Sequence, residues 1–542
     1  MAVKFIHHLL YSVFALIFHR IILYREVDFH IFPILGLFLF SYSSLTYTFH
    51  HFGHYTLQQS LLKSTSLAST FLITLTISIL LHRTFFHRLR RFPGPFWARI
   101  TKFYAVRKAW IVPRSYEQTA ALHAKYGNIV RVGPRELSIL NAAAIPAIYS
   151  STTPCIRGPF HNLSAAEGKG SLFNTRNKPT HAQRRRAWDR AMNTTSIASY
   201  TGRVDGLVTL LLQRLSEANG EPMDWTKMAR YLAFDIIGEI GLGQSFGGLQ
   251  KMETHPAVEE LEQAVWWFGV PGLVPWLVRA MAEIPGLSGS MGAFIKWAEE
   301  QMQVKLEAGF KTDKEQKDIL SCLLSDEVCG YGKMSRESSA DDTRLVVIAG
   351  SDTTSAALSS LFFYLAHQPT IYAKLHTTLL SAFPSGQWNP HTPIPYLDAV
   401  INETLRLQPP VPSGLVRTTP KEGLTIDGTF IPGDIHVSVP TWSIHRDPRY
   451  WDRADEFLPE RWLEGEASEG RKAWIPFTTG AYACAGKSLA YLEMRMVAAR
   501  VVMRFRCELT KEMEDAAAWE RGIRDLFMGQ NPRLWLKFQE RL

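Results

Sequence analysis

Residues 477–486 read Phe477-Thr-Thr-Gly480-Ala-Tyr482-Ala-Cys484-Ala-Gly486. Downstream, Leu489, Leu492, Met496, Ala499 and Met503 recur at the spacing of one helix face. One cysteine therefore stands in a loop of small residues that runs straight into an amphipathic helix. Small residues let backbone approach a flat ligand closely. The free N–H groups of the helix start stabilise a thiolate and can hydrogen-bond to its sulfur. Taken alone, the segment is equally compatible with a buried, inert thiol in a tight turn.

The rest of the chain narrows the choice. Its 542 residues are 46% hydrophobic and 20% charged, with a net charge of +9. The basic excess sits in short clusters such as Arg88–Arg91 and Arg184–Arg186, with no zinc-finger spacing and no long basic tail, which argues against nucleic acid as a partner. Five cysteines, an odd number with no CxxC pair, argue against a disulfide framework and for a reducing compartment. No glycine-rich phosphate loop is present, so the chain carries no nucleotide site of its own.

The apolar surplus is at the N-terminus. Residues 5–18 are short and interrupted by His7 and His8, whereas 31–47 and 64–81 carry no charge. A spanning helix needs about 20 apolar residues, with roughly 17 as the lower limit. Two or three spans are expected within residues 1–91, followed by a soluble domain over 92–542. Arg83, Arg88, Arg90 and Arg91 follow the last stretch, which places that domain on the cytosolic side. Pro93-Gly94-Pro95 makes a stiff turn between the two. Beyond it the pattern is mainly helical, as at Gln118–Tyr126 and Met228–Gly241. Short extended runs at Ile129–Val132, Leu137–Ile139 and Gly423–Ile431 predict small sheets.

Two further segments stand out. Ser339-Ala-Asp341-Asp342 reads as a helix start with Ser339 as N-cap. The apolar helix that follows is interrupted by Ala349-Gly350-Ser351-Asp352-Thr353-Thr354, a local contradiction of helix propensity that often marks a functional site. Thr hydroxyls can bond back to the preceding turn there and loosen it. Glu403 and Arg406 are three apart on an apolar helix, so the pair is expected to be buried and to need further partners.

Together these segments resemble the cytochrome P450 superfamily. Phe477, Gly480, Cys484 and Gly486 match its haem-binding loop, Phe-x-x-Gly-x-Arg-x-Cys-x-Gly, with Tyr482 in place of the Arg that pairs with a haem propionate. Ala349–Thr354 resembles the family's central helix, and Glu403-x-x-Arg406 with Pro459-Glu-Arg461-Trp resembles its Glu–Arg–Arg cluster. The resemblance implies a mainly α fold with small β-sheets (α+β), haem b between the central helix and the cysteine loop, and Cys484 as axial ligand. It implies that Thr353 supports proton delivery, that Asp352 relays protons from solvent, and that Ala349 and Gly350 leave room over the haem. Glu403, Arg406 and Arg461 are expected to be structural. His181 and Arg185, four apart, resemble the family's Trp-x-x-x-Arg propionate pair, and Arg417 and His445 are further candidates.

The details look most like membrane-bound filamentous-fungal members of secondary-metabolite pathways, in the endoplasmic reticulum membrane. The expected reaction inserts one oxygen atom from O2 into a lipophilic small molecule, with electrons from a separate NADPH reductase. The basic residues Arg446, Arg471, Lys472 and Lys487 are candidates for docking that donor. The alternatives are a haem-thiolate isomerase or dehydratase, which often lacks the acid–Thr pair, and a non-catalytic haem sensor. Phe173, Trp266, Trp267, Phe268, Phe527 and Met528 are expected to give the pocket an apolar lining.

Overall fold

Residues Arg336–His367 form a single 32-residue helix, and the rest of the domain is arranged around it. The computed structural model describes residues 2–23, 26–27, 29–162, 170–284, 289–308, 318–325, 336–463 and 469–541. Ser339 is not an N-cap, because described helix already begins at Arg336. The acids Asp341 and Asp342 are buried instead of exposed at a helix start. Asp342 accepts from Arg184 Nη2 at 2.9 Å and from the Leu172 N–H at 2.7 Å, which ties the central helix to the helix Lys178–Ala191.

The Ala349–Thr354 segment does not break the helix. Ser351 Oγ and Thr353 Oγ1 donate to the carbonyls of Val347 and Ala349, at 2.6 and 2.9 Å. Those side chains thus find partners without unwinding the turn. Gly350 has a packing reason. A Cβ there would fall 2.5 Å from Ile237 Cδ1, on the adjoining helix Trp225–Ile237. On the side of its missing Cβ, Gly350 thus makes room for Ile237.

Sheets are small and peripheral. The largest has five strands in the spatial order Ile129–Gly133, Glu136–Ile139, His436–Ser438, Arg417–Thr418 and Ile156–Arg157. Its last pair is antiparallel and sets Arg157 directly opposite Arg417. The run Gly423–Ile431 forms a two-stranded hairpin, Leu424–Ile426 with Thr429–Ile431.

Three helices precede the domain: α1 (Ala2–Ile22), α2 (Ile31–His51) and α3 (Leu57–Leu81). Each is long and apolar enough to cross a membrane, and each lies largely exposed. The first is longer than its apolar run implied, because the helix continues through His19 and Arg20 to Ile22. The polar residues scattered along α1 and α3 face each other. His8 Nδ1 meets Thr70 Oγ1 at 2.7 Å, Ser12 Oγ meets Thr74 Oγ1 at 3.2 Å, and His19 Nδ1 meets Ser78 Oγ at 2.6 Å. These partners advance together along both helices, so α1 and α3 are parallel, and α2 connects them by running back in the opposite direction, packed on α3. The α1–α2 connection therefore lies at the same end as Leu81, beside the catalytic domain. Hydroxyl and imidazole pairs of this kind hold apolar helices together where burial of greasy surface cannot. The central helix also meets the length criterion for a span, but most of it is buried in protein.

Glu403 and Arg406 have no exposed side-chain surface. Glu403 accepts from Arg406 Nε and Nη2 at 2.8 and 2.9 Å, from Arg461 Nε at 3.0 Å, from Trp462 Nε1 at 2.9 Å and from the Leu458 N–H at 2.8 Å. Arg406 also donates to the carbonyls of His445, Ala454 and Glu456, at 2.8, 2.6 and 2.9 Å. Glu403 faces two guanidinium groups, whose remaining donors go to backbone carbonyls, and hydrogen-bonded pairing of this kind is the condition under which buried ions are tolerated. Glu403→Ala is expected to cost about 3–5 kcal/mol, because it strands a buried guanidinium. Equilibrium unfolding in guanidinium chloride measures this, and a loss below about 1 kcal/mol would show that the node does not hold the region.

Candidate active site

The cysteine loop is shaped by two close approaches. Gly480 has φ +72°, and a Cβ there would lie 2.2 Å from the Tyr149 carbonyl oxygen. Only glycine fits both the conformation and the space. The loop closes when the Cys484 N–H donates to the Phe477 carbonyl at 3.0 Å. Gly486 then caps the helix Lys487–Arg504. Burial raises the Cys484 thiol, whereas the N–H groups of Gly486 and Lys487 and the cations Arg185 and Lys487 pull it down toward thiolate. The residue is nevertheless exposed on one side. A Cβ on Gly486 would meet only Cys484 Sγ, at 4.0 Å, so the open side continues past the glycine.

The central helix packs against this cysteine-bearing helix. In its middle, Ala349 is exposed, and Ile348, Gly350, Asp352 and Thr353 are partly exposed. Asp352 lies beside Thr353 in sequence. Burial raises its carboxyl from 3.8 to about 6, with Arg230 pulling down and Glu262 pushing up. Arg230 and Glu262 pair with each other at 2.5 Å.

The charged part of the site contains a residue that sequence reasoning missed. Arg157 and Arg417 face each other across adjacent strands, at 5% and 1% exposure. Like charges directly opposite destabilise a sheet. Burial, and then Arg417, push Arg157 down to about 9. Both guanidinium groups lie over the Tyr482 ring, at 4.4 and 5.1 Å. His181 meets the same ring edge-on at 4.5 Å. Arg185 donates to the Ala483 carbonyl and pairs with Asp189 at 2.6 Å.

Four polar atoms in this cluster are buried and without a partner among the described residues: Arg157 Nε, Arg417 Nε, His181 Nε2 and Tyr482 OH. Such orphans call for a ligand. A pair of carboxylates at this edge would satisfy them, and the donor set fits the propionates of a haem. Tyr482 thus stands where a cation is usual, and Arg157 brings that cation from a different strand. No local pattern marks Arg157, because its significance lies in the cross-strand register.

Other candidates lie elsewhere. His445 Nδ1 meets the Arg406 carbonyl at 3.2 Å and Nε2 accepts from the Ile475 N–H at 2.9 Å, so both nitrogens are engaged away from the cluster. Arg446 is only 10% exposed and pairs with Asp455, while Arg471 donates to the Trp462 carbonyl. Among the four proposed docking residues, only Lys472 and Lys487 are well exposed.

A profile of the cytochrome P450 family matches residues 96–535. The chain belongs to the cytochrome P450 family. It is 35% identical over 547 residues to cytochrome P450 monooxygenase FCK2 of Fusarium pseudograminearum, covering 98% of this chain and 97% of that one. It is 32% identical to tryprostatin B 6-hydroxylase of Neosartorya fischeri, covering 92% and 90%. The solved cytochrome P450DA heme domain superposes with a TM-score of 0.67 at 17% identity, over 83% of this chain and 98% of that chain, which shows the shared fold. Like its fungal relatives, this cytochrome P450 is a monooxygenase.

A cavity of about 860 Å³ in this cytochrome P450 is lined by residues among which Cys484 does not appear. Leu23, Val27 and Phe86 of the anchor form one wall, and Trp276, Phe160 and Phe527 of the domain form another. At its inner end Phe527 stacks on Phe160 at 4.7 Å and meets Phe173 at 5.8 Å. Phe527 holds φ +76°, a strained value for a bulky residue. The expected aromatic lining divides here. Phe173 and Phe527 belong to this cluster, and Met528 is buried on the adjoining strand. Trp266 and Trp267 pack with each other, at 4.9 Å, and Trp266 packs with the exposed Trp110, at 4.6 Å. The Phe268 side chain lies outside the described residues.

Because the folded chain holds the Asp352 proton more tightly than the unfolded chain, this carboxyl adds stability at low pH. That contribution is lost as pH rises from about 4 through about 6. Asp352→Asn should therefore gain thermal stability relative to the wild type between about pH 4 and about pH 7. A constant difference in Tm across that range would contradict the assignment.

Proposed function

We propose that Cys484 is the axial thiolate of haem b, and that the enzyme uses O2 and two electrons from a membrane-bound NADPH reductase to oxygenate a lipophilic small molecule. The observation that carries this reading is the pairing of a one-side-open cysteine with a cluster of unpaired buried donors that two propionates would satisfy. When bound, such a haem activates oxygen, helped by the electron density its thiolate donates.

The chain's own residues have separable tasks. The loop N–H groups and the helix start hold Cys484 as thiolate. Arg157, Arg417, His181, Arg185 and Tyr482 anchor the propionate edge. Thr353 Oγ1, bonded to the Ala349 carbonyl, keeps a hydroxyl at the one open face of the central helix. The Asp352 carboxyl, poised at about 6, can hold or release a proton near neutral pH, and the partly exposed Arg230–Glu262 pair is close enough to act on its charge.

Membrane attachment supports a lipophilic substrate. The exposed Phe85, Phe86, Phe96, Trp97, Trp110 and Ile111 form an apolar rim on the domain just past α3. Such a rim suits immersion in the interfacial region of a bilayer. We place the catalytic domain at the cytosolic face of the endoplasmic reticulum membrane, supported by the arginines after α3. The anchor-walled cavity then opens where a substrate dissolved in the bilayer would arrive. The related fungal monooxygenases support a secondary-metabolite substrate. The intact Asp352–Thr353 pair favours oxygenation over isomerisation or dehydration.

Reconstitution with a reductase and a lipophilic substrate panel tests the reading. Thr353→Ala should leave NADPH consumption running while product falls by roughly an order of magnitude and peroxide takes its place. Unchanged coupling would remove Thr353 from the proton path. Isotopic O2 that fails to label any product would sink the monooxygenase reading for the panel's substrate class.

A further inference from the structure

Glu26 lies in the connection between α1 and α2. Its carboxylate pairs with Arg176 through both oxygens, Oε2 to Nη1 at 2.7 Å and Oε1 to Nη2 at 3.3 Å. The two side chains are 28% and 14% exposed, so the contact is largely enclosed. The third donor of the same guanidinium, Nε, reaches the Arg157 carbonyl at 2.8 Å. Arg157 returns the contact, because its Nη1 donates to the carbonyls of Leu172 and Thr175. Arg176 stands two residues before the helix Lys178–Ala191, which carries His181 and Arg185.

One guanidinium thus joins the strand of Arg157 to the start of the helix that bears the other propionate-side donors. The group that fixes that guanidinium belongs to the membrane anchor. We infer that Glu26 is a positioning residue of the catalytic site: through Arg176 it holds Arg157 and the His181–Arg185 helix in register around the haem edge. The inference rests on the haem reading above.

The physical case has two parts. A bidentate carboxylate–guanidinium contact fixes orientation as well as distance, which a single contact does not. Glu26 also neutralises a cation that would otherwise add to the charges of Arg157, Arg417 and Arg185, where burial and then the repulsion of Arg417 and Arg185 already push Arg157 down. The parallel packing of α1 with α3 explains why this loop is available. It brings the α1–α2 connection back to the domain side, and Val27, next to Glu26, joins the wall of the cavity there. The anchor is therefore part of the site's scaffold as well as a tether.

A mutant cycle on the full-length, membrane-reconstituted holoenzyme tests this. Haem release into excess apomyoglobin is followed for the wild type, Glu26→Ala, Arg176→Ala and the double variant. Glu26→Ala should speed release by about three- to tenfold, the range of a partly enclosed bidentate pair. The double variant should release no faster than Arg176→Ala alone, because both act through one contact. Glu26→Gln, which keeps a hydrogen bond and loses the charge, should fall between the wild type and Glu26→Ala. The haem midpoint potential should move positive in Glu26→Gln, an electrostatic effect that a purely mechanical tether would not produce. Unchanged release in Glu26→Ala, or independent multiplication of the two single effects, would overturn the inference while leaving the haem reading intact. A folded wild type without haem would overturn both.

Discussion

A carboxylate with no exposed surface holds the cysteine loop in place. Glu403 gathers Arg406, Arg461, Trp462 and the Leu458 N–H, and Arg406 reaches on to the His445 carbonyl. His445 then receives the Ile475 N–H on Nε2, the Ile475 carbonyl receives the Thr478 N–H, and the Phe477 carbonyl receives the Cys484 N–H. The path from the ion node to the sulfur is short, and none of its links before Cys484 is exposed. Ions buried this completely are costly to bring together and costlier to separate. Their value here lies in fixing one arrangement of several loops that have little regular structure of their own.

A second constraint acts from the opposite side of the site. Arg157 and Arg417 are forced together by strand register, and among the described residues no carboxylate pairs with either. Tyr482 supplies a ring for both guanidinium groups but cannot neutralise either. This edge is therefore suited to an anionic ligand. The buried Arg184–Asp342 pair sets the helix of His181 and Arg185 against the central helix, so both sides of the site are referred to one long element.

Much of this was legible in the sequence, and the division follows physical range. Cys484, Gly480 and Gly486 act through local backbone geometry, so consecutive residues reveal them. Glu403 and Arg406 share a helix face, and an apolar setting was enough to imply burial. Arg157 depends on which strand lies beside it, and Glu26 on how three anchor helices pack. Neither fact is written in neighbouring residues. Gly350 could be recognised as unusual for a helix, but not as the point where Ile237 comes closest. Ser339 looked like a cap because serine before two acids is a common helix start. The acids instead serve ion pairs inside the protein. The polar residues that weakened the reading of the first anchor stretch are the ones that join α1 to α3.

The central claim is that Cys484 binds haem iron as a thiolate. The optical spectrum of the dithionite-reduced, full-length protein under carbon monoxide tests it most directly. A strongly red-shifted Soret band, characteristic of a thiolate–iron–carbonyl complex, is the predicted result. Bound haem with an unshifted band, or folded protein with no haem, would contradict it.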